Sequence, residues 1–348
     1  MNRAAALRTL ALLTFALCFG VVVLGAYVRL SAAGLGCPDW PGCYGHLTPD
    51  GAVAEAARSG GSLDGTVVEA GKAWKEMLHR YAAGTLGALI ALIAALAILW
   101  RRERLVSVPY TLGLVGLVVL QGLFGALTVT WRLKPLIVTG HLLFGLTTLS
   151  LLWWLVLTLR AQRSNPWRSA PAFLGTRLAG LRRLATIALL GVILQVALGG
   201  WTSSNYAATA CPDFPQCQGA WWPAGMGGQG AFAPWHGPAI NTGTTYEGGV
   251  LEPAARVAIH FAHRLGALAL ALLLLVTALR VFALRNDAYA RHAAIGVLLA
   301  LVLQLLIGSA MVLRGFPLWL ATAHNAGAAL VLLATIALNR SLRPARPA

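Results

Sequence analysis

Eight apolar runs divide the chain, each about 20 residues long, the length an α-helix needs to cross the hydrocarbon core of a bilayer. They lie near Leu10–Val28, Tyr81–Trp100, Val108–Thr130, Leu136–Leu159, Leu184–Ser204, Val257–Leu279, Ala293–Leu313 and Leu318–Leu338. In lipid every backbone polar group has to find its partner within its own segment, so runs of this kind become helices. The chain as a whole is 58% hydrophobic and 11% charged, against about 25% charged in a soluble domain. The predicted fold class is an all-α integral membrane protein with eight transmembrane helices. The first run follows Arg3 and Arg8 as a signal peptide would. The fifth run repeats its pattern and lies too deep in the chain to be a signal, so the first also counts as a span.

The formal net charge of +16 does not indicate nucleic acid, because the basic residues sit in the gaps between apolar runs and form no patch. They read as topology signals toward membrane lipid. With the N-terminus inside, 17 of the 27 Lys and Arg fall on the inner side, while 9 of the 11 acids fall outside. Both termini are therefore expected to be cytoplasmic, in a multi-pass protein.

The chain repeats itself. Leu24-Gly25-Ala26-Tyr27 and Cys37-Pro38-Asp39-Trp40-Pro41-Gly42-Cys43 return as Leu198-Gly199-Gly200-Trp201 and Cys211-Pro212-Asp213-Phe214-Pro215-Gln216-Cys217, at an offset of 174. Gln121 and Gly125 return as Gln304 and Gly308, and His141 as His324, at 183; His79-Arg80 returns as His263-Arg264 at 184. This is the mark of a tandem duplication. Four spans per copy leave both copies in the same orientation, a parallel pseudo-two-fold repeat. The expected organisation is an N-terminal four-helix half (1–160), a basic cytoplasmic linker (161–183) and a C-terminal four-helix half (184–348). Two long outer loops remain, Ser31–Lys75 and Asn205–Glu252. The proline-free end of the first, Val67–Leu78, can extend the second span outward. The second, across Ala220–Glu247, carries too much Gly and Pro for regular structure. Gly113, Gly116, Gly122, Gly125, Gly140 and Gly145 read as sites of close helix approach.

Four of the eight histidines, His79, His141, His263 and His324, stand at or near the start of even-numbered spans, all of which enter from outside. That puts two imidazoles in the outer leaflet of each half, on different helices of a four-helix bundle. Such a pair can hold an iron porphyrin from both axial sides. Gly84, Gly140, Gly145, Gly266 and Gly327 would let a flat macrocycle lie close to the backbone. The alternatives are hydrogen-bonded packing and a proton relay. Zinc does not fit, since each half has too few close N or S ligands. His46 and His236 read as loop residues and His292 as an interfacial one.

Glu76 stands three residues before His79, and His260 takes the same place before His263. A carboxylate at a membrane edge can move protons or stabilise positive charge, which makes Glu76 the candidate catalytic residue; the alternative is an ion pair with Arg80, one turn on. Arg80 and Arg264 can bind propionates or snorkel to headgroups. The pairs Cys37/Cys43 and Cys211/Cys217 lie on the oxidising side, where disulfides persist, structural by default and redox-active as the alternative. Cys18 reads as packing.

Glu76-Met77-Leu78-His79-Arg80, Gln121–Gly125, His141, His263-Arg264, Ala321-Thr322-Ala323-His324 and both cysteine pairs together resemble the haem A synthase family in its bacterial form, over essentially the whole chain. The resemblance implies oxidation of a ring methyl of haem O to a formyl group through an alcohol, giving haem A for haem-copper oxidases in the bacterial cell membrane. It implies a haem b cofactor on His263 and His324, the substrate iron facing His79 and His141, and Glu76 near the reacting edge. The implied partners are haem O synthase (protohaem farnesyltransferase) and cytochrome oxidase assembly factors. The first cysteine pair would serve haem handling or activity. Two other readings stand beside it: a di-haem b protein passing electrons between quinone and the outer thiols, and a transporter built from parallel repeats.

Overall fold

The computed structural model describes residues 2–59, 62–63, 66–161, 175–234, 244–284 and 288–343. His236 and most of the expected linker lie outside them. Nine α-helices are described: α1 (Arg3–Leu30), α2 (Pro49–Arg58), α3 (Ala70–Leu99), α4 (Val108–Thr130), α5 (Pro135–Ala161), α6 (Gly175–Ser204), α7 (Pro253–Phe282), α8 (Ala288–Leu313) and α9 (Leu318–Ser341). All but α2 are long and apolar enough to cross a membrane. The eight expected spans are therefore present. Most run past their apolar cores: α3 begins at Ala70 and carries Glu76, His79 and Arg80 on helix. Helix α6 begins at Gly175, well inside the expected linker.

The helix ends follow local chemistry. Asn2 caps α1 by accepting from the Ala4 N–H at 3.0 Å, and Pro109 and Pro253 stand in the first turns of α4 and α7, where a missing N–H costs nothing. Hydroxyls inside the spans return to their own helices: Thr14 donates to Leu10 O at 2.8 Å, Thr148 to Phe144 O at 3.0 Å and Thr335 to Val331 O at 2.8 Å. No polar group need then face lipid. Outward positions such as Leu194, Leu299 and Leu306 are exposed and apolar, as a lipid-facing surface requires.

Helix contacts run α1–α3–α4–α5 and back to α1, then α6–α7–α8–α9 and back to α6. The two rings meet where α1 touches α9 and α5 touches α6 and α9. Trp153 on α5 stacks on Phe15 of α1 at 4.9 Å and donates its indole N–H to Leu333 O of α9 at 3.0 Å. Near the start of α5 and the end of α6, Thr139 and Ser204 share a 3.1 Å hydrogen bond. One continuous cluster of buried side chains, including Leu149, Leu152, Leu274 and Leu338, spans the junction.

Two elements of the first outer loop go beyond the sequence reading. Thr48-Pro49-Asp50 starts the short helix α2, with Pro and an acid in the first turn, where both are favoured. Ser62–Leu63 and Thr66–Val67 pair as antiparallel strands. Helix α2 is tied down by Trp74 donating to Asp50 at 3.1 Å and by the His46–Glu55 pair at 2.7 Å.

Candidate functional site

The site is built from the N-terminal parts of α3, α5, α7 and α9 and from two disulfide loops. Cys37–Cys43 and Cys211–Cys217 are both bonded, with all four residues buried. The loops share one construction. Asp39 accepts from the N–H groups of Tyr44 (2.6 Å) and Gly45 (2.9 Å), and Asp213 from those of Gln218 (2.7 Å) and Gly219 (2.8 Å). The Gly219 and Gln218 N–H groups hold the Asp213 carboxyl below the usual carboxylate range, because they favour its charged form. Isolated bridges close both turns, Cys43 with His46 and Cys217 with Ala220.

An arginine on the adjacent helix clamps each loop. Arg80 Nη1 donates to the carbonyls of Asp39 (2.9 Å), Pro41 (3.3 Å) and Gly42 (2.5 Å). Arg264 donates to Gln216 O at 2.6 Å and Cys211 O at 2.9 Å. Propionate or headgroup contacts are the expectation for these two; their described donors are turned to loop carbonyls.

Glu76 is buried, 4% exposed. Its Oε1 accepts from Arg80 Nη2 at 2.5 Å and its Oε2 from the Cys37 N–H at 2.9 Å. Gly36 makes this approach possible: a Cβ there would come within 2.7 Å of the Lys72 backbone. His260 occupies the matching place in the second ring and is equally buried. Arg264 Nε donates to its Nε2 at 3.1 Å, which leaves the proton on Nδ1 to be donated to Ala207 O at 3.2 Å. The two sites thus hold their loops with opposite polarity, a carboxylate accepting in one and an imidazole donating in the other.

The four histidines stand on four different helices, one each on α3, α5, α7 and α9. His263 and His324, on α7 and α9, have ring centroids 6.4 Å apart at 77°. Imidazole nitrogens sit about 2 Å from a bound transition metal, so two rings on opposite sides of one ion have centres roughly 6 Å apart; the pair fits a shared metal such as a haem iron. His79 stands on α3 and His141 on α5. Among the described residues no group of three or more His, Cys, Asp and Glu could hold a metal ion.

Glutamines complete the picture, and one of them was missed in the sequence. Gln195 on α6 lies 3.0 Å from His263 Nδ1 and donates to His263 O at 2.8 Å. Gln304 lies 3.3 Å from both ring nitrogens of His324. In the first ring Gln121 donates to His141 O at 2.9 Å, but Nδ1 of both His79 and His141 is buried without a partner. A lone amide in an apolar span was the available signal for Gln195. The glycines expected to make room for a macrocycle have varied surroundings. Gly140 faces Phe124, Gly145 faces Gln121, Gly266 faces Gln195 and Gly327 faces Gln304, while Gly84 borders open space. Gly113, Gly116 and Gly122 have no neighbour within 4 Å, so they are not points of close helix approach.

Fold and site together define the class: an all-helical, multi-pass membrane protein with two disulfide-closed loops, each held by an arginine next to a histidine on the adjacent helix. A family model described as cytochrome oxidase assembly protein matches residues 8–336, and the chain belongs to that family. It is 40% identical to a haem A synthase of Shewanella oneidensis, over 92% of this chain and 91% of that protein. It is 29% identical to a haem A synthase of Caulobacter vibrioides, over 94% of both, and 28% identical to one of Nitrosospira multiformis, over 94% of this chain and 91% of the relative.

Proposed function

We propose that this protein is a haem A synthase, an oxidoreductase that converts haem O to haem A for haem-copper oxidases. The observation that carries the reading is the match along nearly the full length to a haem A synthase, in a chain whose His263 and His324 have ring centroids 6.4 Å apart. The two rings are the two copies of the sequence repeat, related by an axis along the membrane normal. The C-terminal ring holds haem b through His263 and His324. The N-terminal ring receives haem O between His79 and His141. Three features support this division. His263 and His324 stand at the spacing of two ligands on one ion. Glutamines hold both of those rings, whereas the first pair has unpartnered Nδ1 atoms. And the buried carboxylate, Glu76, belongs to the first ring alone, with His260 in its place in the second.

The chemistry is oxidation of a ring methyl to a formyl group through an alcohol. Breaking one C–H bond of the methyl group sends two electrons to an external acceptor and releases a proton; water then forms the new C–O bond and releases a second proton, and a nearby carboxylate can stabilise the cationic carbon and accept that proton. Glu76 is the catalytic residue in this reading. When bound, haem b supplies a route for electrons leaving the substrate. The chain's basic residues place both termini in the cytoplasm and the histidines in the outer leaflet of the bacterial cell membrane. A substrate with a long apolar tail then arrives laterally, or from the haem O synthase that attaches the tail.

The test is a reduced-minus-oxidised spectrum of the purified protein, with its haems extracted and separated by chromatography. Haem b with haem O, the alcohol and haem A is expected, and Glu76→Ala should shift the extract from haem A toward haem O. Haem b alone in the wild type would make the protein an electron relay. Undiminished haem A in Glu76→Ala would remove Glu76 from the mechanism.

A further inference from the structure

We infer that four glycines, Gly25, Gly125, Gly199 and Gly308, are positioning residues: each is a notch that receives the Cε1 corner of one of the four imidazoles and fixes how that ring stands between the helices. A Cβ built on Gly25 of α1 would lie 2.8 Å from Cε1 of His79 on α3, and one on Gly308 of α8 would lie 2.9 Å from Cε1 of His324 on α9. On Gly199 of α6 it would lie 3.1 Å from Cε1 of His263 on α7, and on Gly125 of α4 it would lie 3.3 Å from Cε1 of His141 on α5. In all four cases Cε1 is the nearest atom, so the same corner of the ring is presented each time.

Carbon atoms pack at about 3.5–4.0 Å. A methyl at Gly25 or Gly308 therefore cannot coexist with the ring in place, and one at Gly199 or Gly125 forces it to yield by a few tenths of an ångström. The notches recur with the sequence repeat, Gly25 and Gly199 at an offset of 174, Gly125 and Gly308 at 183. Neighbouring glycines on the same helices do not share the property. Gly20 on α1, Gly122 on α4 and Gly296 on α8 have nothing within 4 Å. Gly200, beside Gly199 on α6, meets Leu142 and Thr139 and no histidine, so closeness to a histidine is what distinguishes the four among the span glycines.

The consequence is a division of labour in orienting the rings. A hydrogen bond can hold a ring nitrogen in direction, but the depth and rotation of the ring depend on what it rests against. For His79 and His141, whose Nδ1 atoms have no partner, the notch is the main constraint described. The inference rests on haem ligation by these residues, and its test separates the two ideas.

Gly308→Ala and Gly199→Ala are made in the full chain beside the controls Gly296→Ala and Gly122→Ala. Haem b retained per protein and the electron paramagnetic resonance signature of the oxidised haem are compared. The notch variants should bind haem b about 10- to 100-fold more weakly, the usual cost of disturbing the support of a metal ligand, with Gly308→Ala worse than Gly199→Ala; the controls should match the wild type. In haem-free protein, Gly308→Ala should also displace the His324 Cε1 resonance in spectra of labelled histidine, and Gly25→Ala that of His79, with the controls silent. Unmoved resonances in the notch variants, or equal changes in the controls, overturn the inference. Moved resonances in the notch variants, together with a wild type that never takes up haem, would uphold the notches and overturn haem ligation instead.

Discussion

The backbone N–H of Cys37 donates to Oε2 of Glu76 at 2.9 Å, which ties a buried carboxylate on α3 directly to one end of the Cys37–Cys43 disulfide. The partner oxygen is held by Arg80, whose other donors grip the same loop. Carboxylate, arginine and disulfide therefore form one unit.

Removing the carboxylate leaves the Cys37 N–H and part of the Arg80 guanidinium without an acceptor. Breaking a buried pair in this way costs about 3–5 kcal/mol, less here because Arg80 keeps its carbonyls. Glu76→Ala should loosen the first loop and speed reduction of Cys37–Cys43. Glu76→Gln, which keeps an acceptor, should lie between it and the wild type. Timed exposure to a reductant followed by maleimide gel-shift reads this, with Cys211–Cys217 as the internal reference. Equal, unchanged rates at both disulfides would show that Glu76 does not hold the loop.

This unit was only half legible in the sequence. Glu76, His79 and Arg80 stood out because ionisable groups at the edge of an apolar run are rare. The spans were legible for the same reason, since lipid leaves a backbone of that composition no choice but helix. The Glu76–Cys37 bond was not, because its partners are 39 residues apart across a loop whose path no periodicity encodes. Helix α2 carried the signals Thr48-Pro49-Asp50, but ten residues between two Gly-rich stretches read as loop. Gln195 is one polar residue in an apolar span, and only packing reveals that it reaches His263.

Arg80 and Arg264 are discriminated by a conservative change. Each guanidinium spreads its donors over at least two loop carbonyls, a fork that an ammonium cannot reproduce. Arg80→Lys should cost about 1–3 kcal/mol of loop stability, the range for hydrogen bonds to a charged group and for groups left unpaired. Amide exchange across Cys37–His46 should rise, and Arg264→Lys should do the same across Cys211–Ala220. Haem content should hold. A fall in haem with no change in exchange would assign the arginines to propionates.

Gln195 marks a difference between the two rings. Its repeat equivalent, at the offset of 174, is Val21, and the glycine it rests against, Gly266, corresponds to Ala82 at 184. The second ring thus has an amide and a gap where the first has two apolar side chains. Gln195→Val with Gly266→Ala gives the second ring the residues of the first. Loss of a partner to a ligand histidine typically weakens metal binding about 10- to 100-fold, and haem b should dissociate correspondingly sooner on dilution in detergent. Retention equal to wild type would mean that Gln195 packs without tuning the ligand.

Trp153 tests what joins the rings. It stacks on Phe15 of α1 and donates to Leu333 O of α9 from its place on α5, so one side chain bridges three helices drawn from both rings. Trp153→Phe keeps the stacking and loses one hydrogen bond, a loss of about 1 kcal/mol. Trp153→Ala empties the position as well, and large aromatic truncations in packed interiors cost about 3–5 kcal/mol. Thermal unfolding in detergent should rank wild type above Phe and Phe above Ala. If the rings unfold as one body, haem release and loss of helicity should shift together in Trp153→Ala. Separate shifts, with helicity lost in two steps, would show that each ring is a folding unit in its own right and that Trp153 only docks one against the other.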